Sequence, residues 1–172
     1  HARLESDIAS AGRLQAALHP PTYRHEAGID IHSRTRMSSH LGGDHIGFFP
    51  DTDGRLVAYS LDVSGHGVAS ALEAVRLSEE INATRHNTGR PVSKTISGGG
   101  GAAWNPAEVA ATLNARHNRQ SENPLYFTMC CLTLDAGTGE GHICQAGHPE
   151  PVILKRDGSI TFLDPTAPAI GT

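Results

Sequence analysis

Two strand-like runs joined by a tight turn constrain this chain more than any other feature. His45 to Phe49 and Arg55 to Leu61 flank Pro50-Asp51-Thr52-Asp53-Gly54, a stretch made of turn residues, so the pair reads as an antiparallel hairpin. Gly42-Gly43-Asp44 leads into the first strand, and Asp62-Val63-Ser64-Gly65-His66-Gly67 follows the second. A hairpin brings its open ends together, so Asp44 and Asp62, eighteen positions apart, can reach one spot at one sheet edge. Each taken alone is an ordinary turn or strand-end residue. Together, with glycines clearing space around them, they suit a hard divalent cation such as Mg²⁺ or Mn²⁺. They are not the thiolate and imidazole set that zinc prefers.

The 172 residues amount to one domain, enough to bury a core. A net charge of −4 and a pI near 6.2, without any Lys/Arg block, offer no basic field to nucleic acid. No apolar run reaches the length of a membrane span and no signal-peptide pattern is present. Of three cysteines, Cys130 and Cys131 are adjacent in a strand-like run, so they face opposite ways and do not pair readily. They read as reduced, structural thiols of a cytoplasmic protein. None of the eleven histidines stands in a metalloprotease-like helical pair.

Ala2 to Leu18 reads as a helix, with Leu4, Ile8, Ala11 and Leu18 at helical steps and Pro20-Pro21 as its stop. Its start carries no capping residue, so it reads either as the end of a helix arriving from upstream or as an amphipathic face packed on its own domain. Gly28 to Arg34 reads as a strand, and Val68 to Arg85 as a helix with Ala71, Leu72, Val75 and Ile81 on one face. Asn87 to Trp104 is expected to be a loop; its run Gly98 to Gly101 lacks the Lys-Ser/Thr of a phosphate loop and reads as a flexible flap. Asn105-Pro106 opens a further helix to about Gln120 in cap-then-proline order. Leu125 to Leu134, Gly141 to Ala146, Val152 to Lys155 and Ser159 to Leu163 complete the strands. Helices fall between hairpins rather than after each strand, which argues α+β with antiparallel sheets.

The ordered set Gln15-Ala16-Ala17-Leu18-His19-Pro20, Gly42-Gly43-Asp44, Asp62-Val63-Ser64-Gly65-His66-Gly67-Val68, Asn105-Pro106 with Leu113-Asn114, Phe127-Thr128 and Ala146-Gly147-His148-Pro149 spans nearly the whole chain. Taken together it resembles the SpoIIE/RsbU-type branch of the metal-dependent serine/threonine phosphatases, the PPM family. The resemblance implies an antiparallel β-sandwich flanked by helices (αββα layers), with two Mn²⁺ or Mg²⁺ ions at one edge. It implies that Asp62 bridges both ions, that Val63 offers its backbone carbonyl, and that Asp44 holds one ion directly or through water. Two adjacent cations lower the pKa of a bridging water, place it in line and neutralise phosphate oxygens. His66 is either a general acid for the leaving serine oxygen or a shaper of the entry to the next helix. His148 reads as the stabiliser of a tight turn at a strand end. Arg34, ten positions before Asp44, stands where the family often has a basic residue near the site, which implies a phosphate contact.

Two departures matter. His45-Ile46-Gly47 replaces the family's aromatic-aromatic-Asp, and no Thr-Asp-Gly occurs before the final Ala169-Ile170-Gly171-Thr172. Family members carry that motif and a later Asp to complete the metal cluster, so the chain is expected to be a phosphatase domain over 20–172 lacking its last segment. Residues 1–19 are expected to be a connector and dimerisation helix from an upstream sensor or receiver domain. The expected activity is hydrolysis of phosphoserine or phosphothreonine on an anti-sigma-factor antagonist in bacterial signalling. The alternative is a phosphatase-derived module that has lost catalysis and binds a partner protein.

Overall fold

The computed structural model describes residues 2–37, 39–86, 104–120, 125–164 and 167–172. Of the loop expected over Asn87 to Trp104, residues 87–103, with the glycine run, lie outside the described residues. Among the described residues, three α-helices, a 3-10 turn at Thr84–His86 and eight strands occur, the helices and strands in the order α1 (Ala2–Leu18), β1 (Tyr23–Glu26), β2 (Ile29–His32), β3 (Asp44–Pro50), β4 (Leu56–Val63), α2 (Val68–Ala83), α3 (Pro106–Gln120), β5 (Phe127–Leu134), β6 (Gly141–Ala146), β7 (Val152–Leu154) and β8 (Ile160–Phe162). A four-stranded antiparallel sheet in the order β3-β4-β5-β6 forms the centre, and β1-β2 and β7-β8 are separate two-stranded hairpins. The expected α+β class with antiparallel sheets and flanking helices is what the chain adopts. Strand β1 is the element that sequence reading passed over. Its residues Tyr-Arg-His-Glu show no apolar alternation, and they owe their conformation to pairing with β2.

The β3–β4 turn is built by Asp51. Its carboxylate accepts backbone N–H bonds from Asp53 and Arg55, both at 2.9 Å, and holds the Arg55 guanidinium at 2.9 and 2.6 Å. Gly54 supplies the left-handed residue at φ 79° that the turn requires. With the turn fixed, the register follows without freedom: Pro50 faces Leu56, Phe48 faces Ala58, and so down the ladder to Asp44 facing Asp62. A slip of one residue would turn every side chain of β3 to the other face.

One face of the sheet carries the core. Val57, Tyr59, Leu61 and Val63 of β4 and Phe127, Met129 and Cys131 of β5 are buried with Phe49, Cys144 and Ala146. Ala74, Leu77 and Ile81 of α2 and Val109, Ala110 and Leu113 of α3 belong to the same cluster. Each of the larger residues contributes about 1.5–3 kcal/mol by leaving water, and Phe127→Ala is expected to cost about 3–5 kcal/mol. Helix α3 starts as its sequence dictates, with the Asn105 side chain accepting from the Ala107 N–H at 2.9 Å and Pro106 in the first turn. Helix α2 starts without a side-chain cap, from Gly67 at φ 87°. The opposite face of the sheet, the one bearing Asp44, Ser60, Asp62 and Thr128, is only partly covered.

Helix α1 presents Leu4, Leu14 and Leu18 to solvent, while Gln15 is buried against the turn before β3. Among the described residues, no helix is long and apolar enough to cross a membrane.

Candidate active site

Asp44 opens β3 and Asp62 lies one residue from the end of β4, and the two are direct register partners. Directly opposed residues of antiparallel strands project from the same face. Both carboxylates therefore stand side by side, exposed, at one end of the sheet. Burial raises the Asp62 carboxyl above the usual carboxylate range, and the neighbouring Asp44, by charge and by a shared hydrogen bond, raises it further. Two acids resisting simultaneous ionisation are poised to accept a cation or a shared proton.

Gly43 is buried, and a Cβ there would lie 2.4 Å from the carbonyl oxygen of Val63. Val63 in turn donates its N–H to the Gly43 carbonyl at 3.2 Å. The Gly-Gly-Asp turn thus lets the chain pass within contact of the last residue of β4, which no side chain would permit. The oxygen donors at this end of the sheet are accordingly the carboxylates of Asp44 and Asp62 and the Val63 carbonyl. Their hard-oxygen chemistry and the raised Asp62 carboxyl fit one divalent cation, with water completing the coordination. Among the described residues, no group of three or more His, Cys, Asp or Glu is arranged to hold a metal ion.

His148 is the residue whose place sequence reading underestimated. The turn after β6 needs Gly147 at φ 64°, where a Cβ would meet Ala169 at 2.8–2.9 Å, and Gln145 donates its side-chain amide to the His148 carbonyl. So held, the imidazole reaches over the sheet: Nδ1 lies 2.8 Å from Thr128 Oγ1 and Nε2 lies 3.0 Å from Ser60 Oγ. Ser60 is two residues before Asp62 on the same strand face, and Thr128 is the register partner of Asp62. Burial lowers the pKa of His148, while the charges of Asp62 and Asp44 act in the opposite direction. The expected turn-stabilising role is present, together with a position beside the carboxylate pair. The signal available in sequence was the alternation of Ser60 and Asp62 on β4 with Thr128 on β5, three polar residues on one face of otherwise apolar strands.

His66 and Arg34 are placed differently. His66 is exposed in the turn from β4 into α2, and Arg34 is exposed in the irregular stretch after β2. Neither figures among the charges acting on Asp62.

A histidine pair lies beside Asp44 in the chain fold. His45, the residue after Asp44, points into the core and is almost fully buried. It stacks on His19, just beyond α1, with ring centroids 4.6 Å apart. Burial and the neighbouring His19 push its pKa down to about 4. His19 is lowered by burial too, although Asp44 opposes that shift.

Residues 52–172 match the family described as Stage II sporulation protein E (SpoIIE). The chain is 28% identical over 148 residues to the phosphoserine phosphatase RsbP of Bacillus subtilis (strain 168), covering 83% of this chain and 33% of RsbP. Its structure resembles that of the RsbU and RsbW domains of Rv1364c from Mycobacterium tuberculosis, with a TM-score of 0.56 and 26% identity over 80% of this chain and 35% of that one. It also shares the fold of the SiaA PP2C domain of Pseudomonas aeruginosa, with a TM-score of 0.65 and 13% identity over 99% of this chain and 63% of that one. The chain thus spans about a third of RsbP. Since the family match covers well over half of its residues, the chain belongs to the SpoIIE/RsbU-type branch of the PPM phosphatase domains.

Proposed function

We propose that the chain is the phosphatase output domain of a bacterial signalling protein, hydrolysing phosphoserine or phosphothreonine on a small regulatory protein such as an anti-sigma-factor antagonist. The observation that carries this reading is the direct opposition of Asp44 and Asp62 across β3 and β4. It is supported by the likeness to a protein named a phosphoserine phosphatase. Asp44, Asp62 and the Val63 carbonyl would hold Mn²⁺ or Mg²⁺. A divalent cation supplies positive charge against phosphate oxygens and makes water more acidic. The chain's own part is to collect negative charge at one point, to leave the partly covered sheet face open to a phosphorylated loop, and to keep a proton carrier near. His66 is exposed beside the end of β4 and is the proposed donor to the leaving serine oxygen; Arg34 is the proposed contact to the phosphate. The overall change is phosphoserine plus water to serine plus inorganic phosphate.

Helix α1 is the proposed connector to an upstream sensor or receiver domain. Leu4, Leu14 and Leu18, all at least half exposed, lie with Ala11 at steps of seven, three and four, the spacing of a helix-pairing seam, and are the proposed homodimer contact. Replacing Leu4 and Leu14 with Asp in the full-length parent is expected to weaken self-association in sedimentation while the sheet stays folded.

The decisive experiment is hydrolysis of p-nitrophenyl phosphate and of a phosphoserine protein by the full-length parent, with Mn²⁺ and with chelator, beside Asp62→Asn. Metal-dependent turnover lost in Asp62→Asn supports the reading; equal turnover in the two proteins rejects it. A second reading is a phosphatase-derived module that binds a partner without catalysis. It predicts no turnover in the parent but retained binding of the phosphorylated partner.

A further inference from the structure

We propose that Cys131 and Cys144 are a paired modification site, at which a peroxide joins the two thiols in a reversible disulfide between β5 and β6. The two cysteines are direct register partners across these strands, and both belong to the buried core cluster. Their thiols are in hydrogen-bond contact, and neither is tied up in a disulfide. Opposed residues of antiparallel strands hold their Cα atoms about 4.5–5.5 Å apart, inside the span of roughly 4.4–6.8 Å over which disulfides form. The bond therefore needs no backbone rearrangement, only rotation of two side chains that already touch. Cys130 is different. It alternates to the opposite face of β5 and stands across from Ser60 and Gln145, neither of which is a thiol.

Access comes from the edge of the sheet. In the order β3-β4-β5-β6, β6 is the outer strand, and its first residues Gly141 and His142 are exposed. Cys144 is 6% exposed and Cys131 only 1%. The hydrogen bond to Cys144, together with burial, holds the Cys131 thiol far above the usual thiol range, so the closed pair stays reduced. Local opening of the outer strand costs less than unfolding the core, and it bares Cys144 first. The Cys144 thiolate attacks the peroxide: an S–O bond forms, the O–O bond breaks, and hydroxide leaves as water with the proton given up by that thiol. When β6 closes again, the Cys131 sulfur attacks the sulfenic sulfur of Cys144. The S–S bond forms, the S–O bond breaks, and hydroxide leaves as a second water with the Cys131 proton. Two thiols and one hydrogen peroxide thus give one disulfide and two waters; the sulfurs lose the electron pair that the peroxide oxygens gain. The weak bond from the Cys131 thiol to the Pro106 carbonyl, 3.6 Å long, goes with that proton. The product fastens the outer strand to its neighbour, whether or not the domain hydrolyses phosphoserine.

The test treats the full-length parent with hydrogen peroxide under native conditions, in chelator, and maps its peptides without reduction after cleavage at glutamate. Glu140 lies between the two cysteines, so cleavage there separates them unless they are bonded. The peptide with Cys131 should be found joined to the one with Cys144, lighter by the two thiol hydrogens, and dithiothreitol should release both. Cross-linking should speed up in urea well below the unfolding midpoint, where the outer strand opens more often. Cys130→Ser should cross-link as the wild type does, and in Cys131→Ser dimedone should trap a sulfenic acid at Cys144. A disulfide through Cys130 would overturn the proposal. So would thiols at Cys131 and Cys144 that both remain open to alkylation when the peroxide-treated protein is unfolded. A bond that forms only above the unfolding midpoint would overturn it too, since the pairing would then owe nothing to the ladder. The mapping is done on the unmodified protein, so it decides the point even where a variant fails to fold.

Discussion

Gln15 of α1 holds Gly42 by both of that residue's backbone polar groups. Its side-chain amide donates to the Gly42 carbonyl at 2.7 Å, and the Gly42 N–H donates to Gln15 Oε1 at 3.2 Å. Gly42 is two residues from Asp44, so the helix grips the turn that aims the first carboxylate. Gln15 lies four residues after Ala11 and three before Leu18, so the buried amide neighbours the exposed apolar residues on the helix surface. Gly12 marks the same close approach, since a Cβ there would run into the His40 carbonyl.

Gln15→Ala is therefore expected to destabilise the domain by about 1–2 kcal/mol, because it deletes two hydrogen bonds and strips the Gly42 groups of their partners. Urea unfolding should show a lower midpoint with an unchanged slope. Gln15→Glu keeps one acceptor but sets a buried carboxylate oxygen against the Gly42 carbonyl, and should cost at least as much as Ala. An unchanged midpoint in Gln15→Ala would mean that α1 only rests on the turn.

The raised carboxyl of Asp62 gives a pH dependence whose sign can be worked out. An acid with a raised folded-state pKa favours the fold only while protonated. Its contribution is complete below the ordinary carboxylate pKa and is lost as pH climbs through the raised value. The cation-free domain should thus lose a little stability from this source as pH climbs above the ordinary carboxylate range, a small amount because the group stands mostly in water. Asp62→Asn should flatten that limb and make the cation-free protein slightly more stable at neutral pH, while abolishing Mn²⁺ binding. Chemical denaturation across this pH range, with chelator present, reads the effect directly. Lower neutral-pH stability in Asp62→Asn would show that Asp62 is a structural acid.

The hairpin and its carboxylate pair were legible in sequence because turn chemistry and strand alternation are both local. Asp51 and Gly54 specify the turn, the turn specifies the register, and the register sets Asp44 against Asp62. Helix α3 was equally plain from Asn105-Pro106. Strand β1 was not, since Arg24, His25 and Glu26 carry no periodic apolar signal and are ordered only by β2. His148 was half legible. Gly147 announces a turn, but the meeting of His148 with Ser60, 88 positions away, depends on β4, β5 and β6 lying in that spatial order. The burial of His45 was hidden for a similar reason: a histidine between Asp44 and Ile46 looks like surface, and only the core-facing phase of β3 turns it inward.

His45 should make the domain acid-sensitive. Its pKa is pushed down from 6.5 to about 4. A base so depressed leaves the fold fully stable above its unfolded value, and the stability is lost as pH falls from about 6.5 toward 4. The full loss is on the order of 3 kcal/mol for this one residue, since each pKa unit is worth about 1.4 kcal/mol. His19 adds to it with the same sign. His45→Phe keeps a ring against His19 and Tyr59 and removes a buried nitrogen, Nδ1, that has no hydrogen-bond partner among the described residues. That variant should hold its thermal midpoint on acidification where the wild type falls. Parallel decline in both proteins would place the acid sensitivity elsewhere.

Gly43 and Gly54 separate two reasons for a glycine. Gly54 is needed for its backbone angle and has open space around it, so Gly54→Asn should be nearly neutral, asparagine being the residue that best tolerates this conformation. Gly43 has no such angle; it is needed because a Cβ would press on the Val63 carbonyl at 2.4 Å, and that neighbour is backbone that cannot rotate aside. Gly43→Ala should therefore push the end of β4 away from the Asp44 turn, at a cost of about 1–3 kcal/mol. The same displacement moves the Val63 carbonyl and Asp62 relative to Asp44, so Mn²⁺ affinity should fall along with stability. If calorimetry shows wild-type Mn²⁺ binding in a folded Gly43→Ala protein, Val63 has no part in holding the cation, and the two carboxylates act without it.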